Sequence, residues 1–263
     1  MMLDEARLEA IETWYCTYVE SFDHNDKVCV QGIDMKKEHT RQVRNNILDL
    51  GESLSLSAEE LRLADTIAML HDIGRFEQCI RYKTFSDLKS ADHGKLGIQV
   101  IHDNGVLDGI ADHVKQIILY AISHHNRRLL PKDGADDCML FLKLLRDADK
   151  LDIWRFFREY FEGSIYDANH VIVHGLPDEP GYSSEIADDV LAGKMAKVKY
   201  FKNLNDLKLA YIGLIYDVNF KRTYQILYDN KYLEAFYSFL PQTPKTAQIY
   251  HRAKNYLANR LSN

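Results

Sequence analysis

The chain has 263 residues, enough for one large domain or one domain with an extension, and a chain of that length buries a core without disulfide or metal staples. Four cysteines, Cys16, Cys29, Cys79 and Cys138, show no paired spacing and read as reduced thiols of a cytoplasmic protein. A net charge of −6 spread along the chain argues against a counterion-releasing nucleic-acid surface, and no run reaches the roughly 18 apolar residues that a membrane span requires.

Asp4, Glu5, Arg7, Glu9 and Glu12 interrupt the opening residues, so a signal-peptide pattern is not expected there. Prolines and glycines are few, and Leu, Ile and Ala recur at three-and-four spacing, which predicts an all-α fold. A first helix is expected from Asp4 to about Phe22, with Leu3, Ala6, Ala10, Thr13 or Trp14, and Thr17 or Tyr18 inward, followed by a polar link through Asp23, His24, Asn25 and Asp26. Lys27 to Asp34 is ambiguous, because Val28 and Val30 alternate over too few residues to decide. Lys36 to Leu50 reads as a helix closed by Gly51. Ser57 reads as an N-cap ahead of Glu59 and Glu60, with Leu61, Ala64, Ile67 and Ala68 as the buried stripe of a helix ending near Gly74.

Residues 76 to 90 mix aromatics with charges and predict a loop or short helix over a site. Further helices are expected from Asp92 to about Ile101, from Ile110 to about Asn126 and from Cys138 to about Phe161, separated by turns at Asp103-Asn104-Gly105 and Pro131-Lys132-Asp133-Gly134. Composition shifts between Gly163 and Ser184, so three segments are expected: an N-terminal helix over 1–26, a catalytic unit over 27–163 and a helical extension over 164–263. The extension is rich in Tyr and Phe, read as core packing, with a pocket wall or a homodimer contact as alternatives.

Chemistry concentrates in His39, His71-Asp72, His93, His124-His125 and Asp149. A His-Asp pair alone says little, since about one arises by chance at this composition, and the second pair, His102-Asp103, runs into a turn. Helical phase distinguishes the set: His39 lies in line with Val43, Ile47 and Leu50, His71 with Ala64 and Ile67, His125 with Val114, Ile118 and Ala121, and Asp149 with Leu142, Leu145, Ile153 and Phe156. Polar groups buried this way need partners, and a shared divalent cation satisfies all of them at once. Imidazole with carboxylate suits Mn, Fe, Zn, Co or Ni, shading toward Mg as carboxylates are added. His24, His113, His170, His174 and His251 read as surface or core residues.

The order of these residues resembles the HD superfamily of metal-dependent phosphohydrolases over roughly residues 30 to 160, through Glu38-His39-Thr40, Leu70-His71-Asp72-Ile73-Gly74-Arg75 and Asp147-Ala148-Asp149-Lys150-Leu151-Asp152. The resemblance implies an all-α HD-domain bundle, a first metal held by His39, His71, Asp72 and Asp149, and a second held by His93 with His124 or His125, Asp72 bridging. It also implies hydrolysis of a phosphate ester or anhydride on a small metabolite or nucleotide, with Asp72 and Arg75 catalytic and Arg75, Lys95, Arg127 and Lys150 as candidate substrate contacts. Alternatives are a di-iron oxygenase of the same superfamily and a non-catalytic metal-binding regulatory protein. The Gly-Tyr-Pro element of relatives that cleave cyclic dinucleotides does not follow His125, where Asn126-Arg127-Arg128-Leu129 stands.

Overall fold

The computed structural model describes residues 3–22, 27–165, 173 and 175–262; the expected link over Asp23 to Asp26, with His24, and both His170 and His174 lie outside them. Every regular element among the described residues is helical, as the spacing of the apolar residues requires. No helix among them is long and apolar enough to cross a membrane.

Helix α1, Glu5–Glu20, is capped by Asp4, whose carboxylate accepts from Arg7 N at 2.9 Å. It buries Ile11, Tyr15 and Val19, while Ala6, Ala10, Thr13 and Thr17 face solvent, which corrects the expected stripe. Leu3 is buried but precedes the cap, so the helical phase cannot be counted from it.

Helix α2 runs unbroken over Lys27–Ser53 and absorbs the segment that alternation left ambiguous. Gly51 does not close it. A Cβ at Gly51 would press on the Leu61 and Leu56 side chains, so the glycine serves close packing. The stop comes later, where Ser55 takes a φ of 58° and Leu56 N–H returns to Gly51 O at 3.1 Å. Helix α3, Ala58–Leu70, begins as expected in a capping box between Ser57 and Glu60. From Leu63 to Leu70 every side chain is buried, the mark of a helix enclosed on all sides, and α3 packs on α1 and α2.

Gly74 opens helix α4, Gly74–Tyr82, and does not end the one before. A 3-10 turn at Asp87–Lys89 leads to α5, His93–Asp103, and α6, Asp112–His124, which packs on both α3 and α5. Gly105, at a φ of 60°, makes the turn after α5. Helix α7 spans Asp136–Phe161.

The chain divides inside α7 into two compact units, Met1–Asp149 and Lys150–Asn263, so the composition shift at Gly163 to Ser184 lies within the second. The first unit is built from α1 to α6 and the start of α7, around Ile33, Val43, Ile47, Ile67, Ile118, Ile122, Leu142 and Leu145. The second contains the end of α7 with α8 (Ser184–Leu191), α9 (Leu204–Gly213), α10 (Lys221–Asp229), α11 (Tyr232–Ser238) and α12 (Pro244–Ser262). Its core holds Trp154, whose indole donates to Tyr211 O at 2.8 Å, and Phe236, which meets Tyr211 edge to face.

Candidate metal centre

Four imidazoles and one carboxylate converge in the first unit, each delivered by a helix end or an inward helical face. His39 projects from the middle of α2. His71 and Asp72 form the turn between α3 and α4, His93 is the first residue of α5, and His125 caps the C-terminus of α6. All five are at least nine-tenths buried, His71 completely.

The close approach depends on Gly74. A Cβ there would collide with the backbone of His93 and Gly97, so only glycine lets the start of α4 meet the start of α5 and brings Asp72 beside His93. The C-terminus of α6 is held by the buried Arg146, which donates from Nη1 to His125 O at 2.8 Å and to Arg127 O. A guanidinium at that end answers unpaired carbonyls and the negative end of the helix dipole.

Asp72 lies between two groups of donors. Its Oδ2 is 3.6 Å from His39 Nε2 and 3.6 Å from His71 Nε2, which are 3.3 Å from each other. Its Oδ1 is 3.3 Å from His93 Nε2 and 3.7 Å from His125 Nε2, themselves 3.0 Å apart. Asp149, on α7 with a side chain 20% exposed, puts Oδ1 3.2 Å from His39 Nε2. Two three-residue groups, His39-His71-Asp72 and Asp72-His93-His125, could each hold a metal ion, with Asp72 common to both.

The chemistry of the donors fits a cation. His125 Nδ1 donates to Ile122 O at 2.7 Å, and His93 Nδ1 donates to the Asp87 carboxylate at 2.7 Å, so a ring with a single proton carries it on Nδ1. In that form their Nε2 atoms face each other as lone pairs, with a carboxylate oxygen beside them. His71 is held likewise, its Nδ1 donating to Ala68 O at 2.7 Å. Burial pushes His71 down to about 3; burial, joined by the nearby Arg75 charge, pushes His93 down to about 4. Burial alone would raise Asp72, but Lys36 and the surrounding charges hold it well below the ordinary carboxylate range.

The other sequence candidates fall in different places. His124 turns aside: its Nδ1 donates to Tyr120 O at 2.9 Å and its ring stacks on Tyr120 at 4.3 Å. Arg75 enters the site, with Nε buried 3.6 Å from Asp72 Oδ1 and Nη1 donating to Gln78, Phe85 O and Asp87. Lys95 is exposed in the first turn of α5, and Arg127 is exposed with Nη2 3.9 Å from Asp92. Lys150 is buried and paired with Asp217 at 2.7 Å.

Sequence reasoning passed over three residues of the site. Lys36 donates to Asp72 Oδ2 at 2.7 Å; it lies three residues before His39, so the helical face that selected His39 could have found it. Gln78, fully buried, donates to Asp87, Ser90 and Ala91 O and clips the loop after α4, and it lies one turn beyond Arg75. Asp87 sits in a 3-10 turn, where no apolar periodicity marks an inward residue.

Among known proteins, the family model described as HD domain matches residues 37–154. No curated protein and no solved structure matches the chain. The matched stretch contains the five buried residues of the cluster and Asp149 beside them, and none of the aromatic tail. Residues 37–154 match the HD domain, the unit of a superfamily made up mostly of metal-dependent hydrolases.

Proposed function

We propose that the protein is a metal-dependent phosphohydrolase acting on a phosphate ester or anhydride of a small metabolite or nucleotide. The observation that carries this reading is the meeting of two imidazole nitrogens, each on a ring that already donates through Nδ1, and a carboxylate oxygen, His93 Nε2, His125 Nε2 and Asp72 Oδ1, inside an apolar bundle. Such a grouping is repulsive by itself and is stabilised by a cation. His39, His71, Asp72 and Asp149 would hold one divalent ion, and Asp72, His93 and His125 a second. His124 is left out, since its Nδ1 and ring face are engaged with Tyr120.

Ions held there supply Lewis acidity toward a phosphoryl oxygen and toward water. Arg75 binds the phosphate through its planar guanidinium, which Asp87 and Phe85 O hold in orientation. Lys36, 15% exposed and already on Asp72 Oδ2, adds a second positive charge at the same carboxylate and favours an anionic substrate. Lys95 and Arg127 lie outside this inner group as exposed cations, whereas the ammonium of Lys150 is committed to Asp217.

The test is elemental analysis of the purified protein together with turnover of a panel of phosphorylated metabolites and nucleotides in Mn2+, Co2+, Ni2+ and Mg2+. Asp72→Ala and His71→Ala are each expected to lose metal and to lower turnover by more than about 100-fold while helical circular dichroism is kept. Full metal and full turnover in both variants would overturn the reading. Bound iron with oxygen-dependent turnover would favour the oxygenase chemistry instead.

A further inference from the structure

We propose that Asp87 is a positioning residue that fixes the tautomer and ring orientation of His93 and, with the same carboxylate, pins Arg75. The proposal rests on the reading of the cluster as a metal centre and extends it to a residue that touches neither metal nor substrate.

The need for Asp87 follows from where each histidine falls on its helix. His71 and His125 stand at helix C-termini, where carbonyls without intrahelical partners are plentiful, and each ring donates to the carbonyl three residues before it, Ala68 O and Ile122 O. His93 is the first residue of α5. A helix N-terminus offers free N–H groups and no such carbonyl, so the ring must find its acceptor elsewhere.

Asp87 supplies it across the loop, with Oδ2 at 2.7 Å and Oδ1 at 2.9 Å from His93 Nδ1. The loop is shaped to present this carboxylate. Gln78 Nε2 donates to Asp87 Oδ1 at 2.9 Å, Asn126 Nδ2 donates to Oδ2 at 3.2 Å, and Ser90 Oγ donates to Ser86 O at 2.9 Å. Arg75 Nη1 donates to the same Oδ1 at 2.9 Å. One carboxylate thus sets both the direction of the His93 Nε2 lone pair and the lie of the arginine beside Asp72. A carboxylate behind an imidazole also makes that imidazole a stronger donor to a cation than a carbonyl does.

The experiment compares wild type, Asp87→Ala and Asp87→Asn by Co2+ equilibrium dialysis with visible absorption, and by nitrogen-15 NMR of the histidine rings. Asp87→Ala is expected to weaken one of two Co2+ classes by about 10- to 100-fold, to leave the other unchanged, and to shift the His93 ring away from a pure Nδ1–H tautomer. Asp87→Asn keeps an acceptor oxygen and is expected to recover the tautomer and most of the affinity. Unchanged affinities together with an unchanged His93 tautomer in Asp87→Ala would overturn the proposal and leave the phosphohydrolase reading standing. A wild type that binds no Co2+ would overturn the metal reading, and the tautomer measurement would still decide whether Asp87 orients His93.

Discussion

Where each buried imidazole carries its proton decides what the centre can do. His71, His93 and His125 all spend Nδ1–H on an acceptor behind the ring, which leaves Nε2 free to face inward. Keeping His71 and His93 neutral has a thermodynamic consequence. His71 and His93 titrate near 3 and 4 in the folded protein, below the value of about 6.5 of an exposed histidine. Between those limits the unfolded chain binds protons that the folded protein refuses, so this contribution to stability is complete above about pH 6.5 and is lost as pH falls toward 4. With divalent ions chelated, each ring is expected to cost up to about 3 kcal/mol over that interval, at about 1.4 kcal/mol per pH unit. Urea midpoints measured from pH 7 to pH 4.5 check this; a midpoint that does not move, or one that moves equally when both rings are replaced by glutamine, contradicts it.

At the level of elements, helix contacts are secured by a glycine that lets two backbones meet and by an arginine shared among three helices. Gly74 allows α4 to start against α5, and no other residue fits without moving backbone. Helices α1, α2 and α3 are tied by Arg44, which donates from Nε and Nη2 to both oxygens of Asp65 on α3, at 2.7 and 2.9 Å, and from Nη1 to Glu12 on α1 at 2.6 Å. Asp65 is buried, so removing it strands a guanidinium that is itself mostly enclosed. Asp65→Ala is therefore expected to destabilise the protein by about 2 to 3 kcal/mol, read as a lower urea midpoint at constant slope. A change under about 0.5 kcal/mol would mean that the pair contributes no more than a surface contact.

At the scale of the molecule, all six residues of the cluster belong to the unit Met1–Asp149, and the aromatic tail builds the separate core of Lys150–Asn263. Phe236 is fully buried there against Tyr211, Phe161 and Phe239. Phe236→Ala is expected to cost about 3 to 5 kcal/mol through lost burial and the cavity left behind. Its metal content should equal that of wild type. Calorimetry with elemental analysis checks both parts, and a loss of metal in the folded variant would show that the first unit does not carry the centre by itself.

The sequence by itself determined the all-helical class, the Ser57 cap, the turn at Gly105 and the inward faces of His39, His71 and His125, because caps, glycines and a period near 3.6 residues are local properties of the chain. It misjudged the phase of α1 and the role of Gly51 where a local sign had two meanings: Leu3 looked helical but precedes the cap, and a glycine that could end a helix instead admits Leu61. Only the tertiary structure separated His125 from His124, since adjacent residues differ by about 100° around a helix and the facing wall chooses between them. Only it, too, brought Lys36 onto Asp72 and Asp87 onto His93, pairs joined by folding across 36 and 6 positions with no periodic pattern to announce the second.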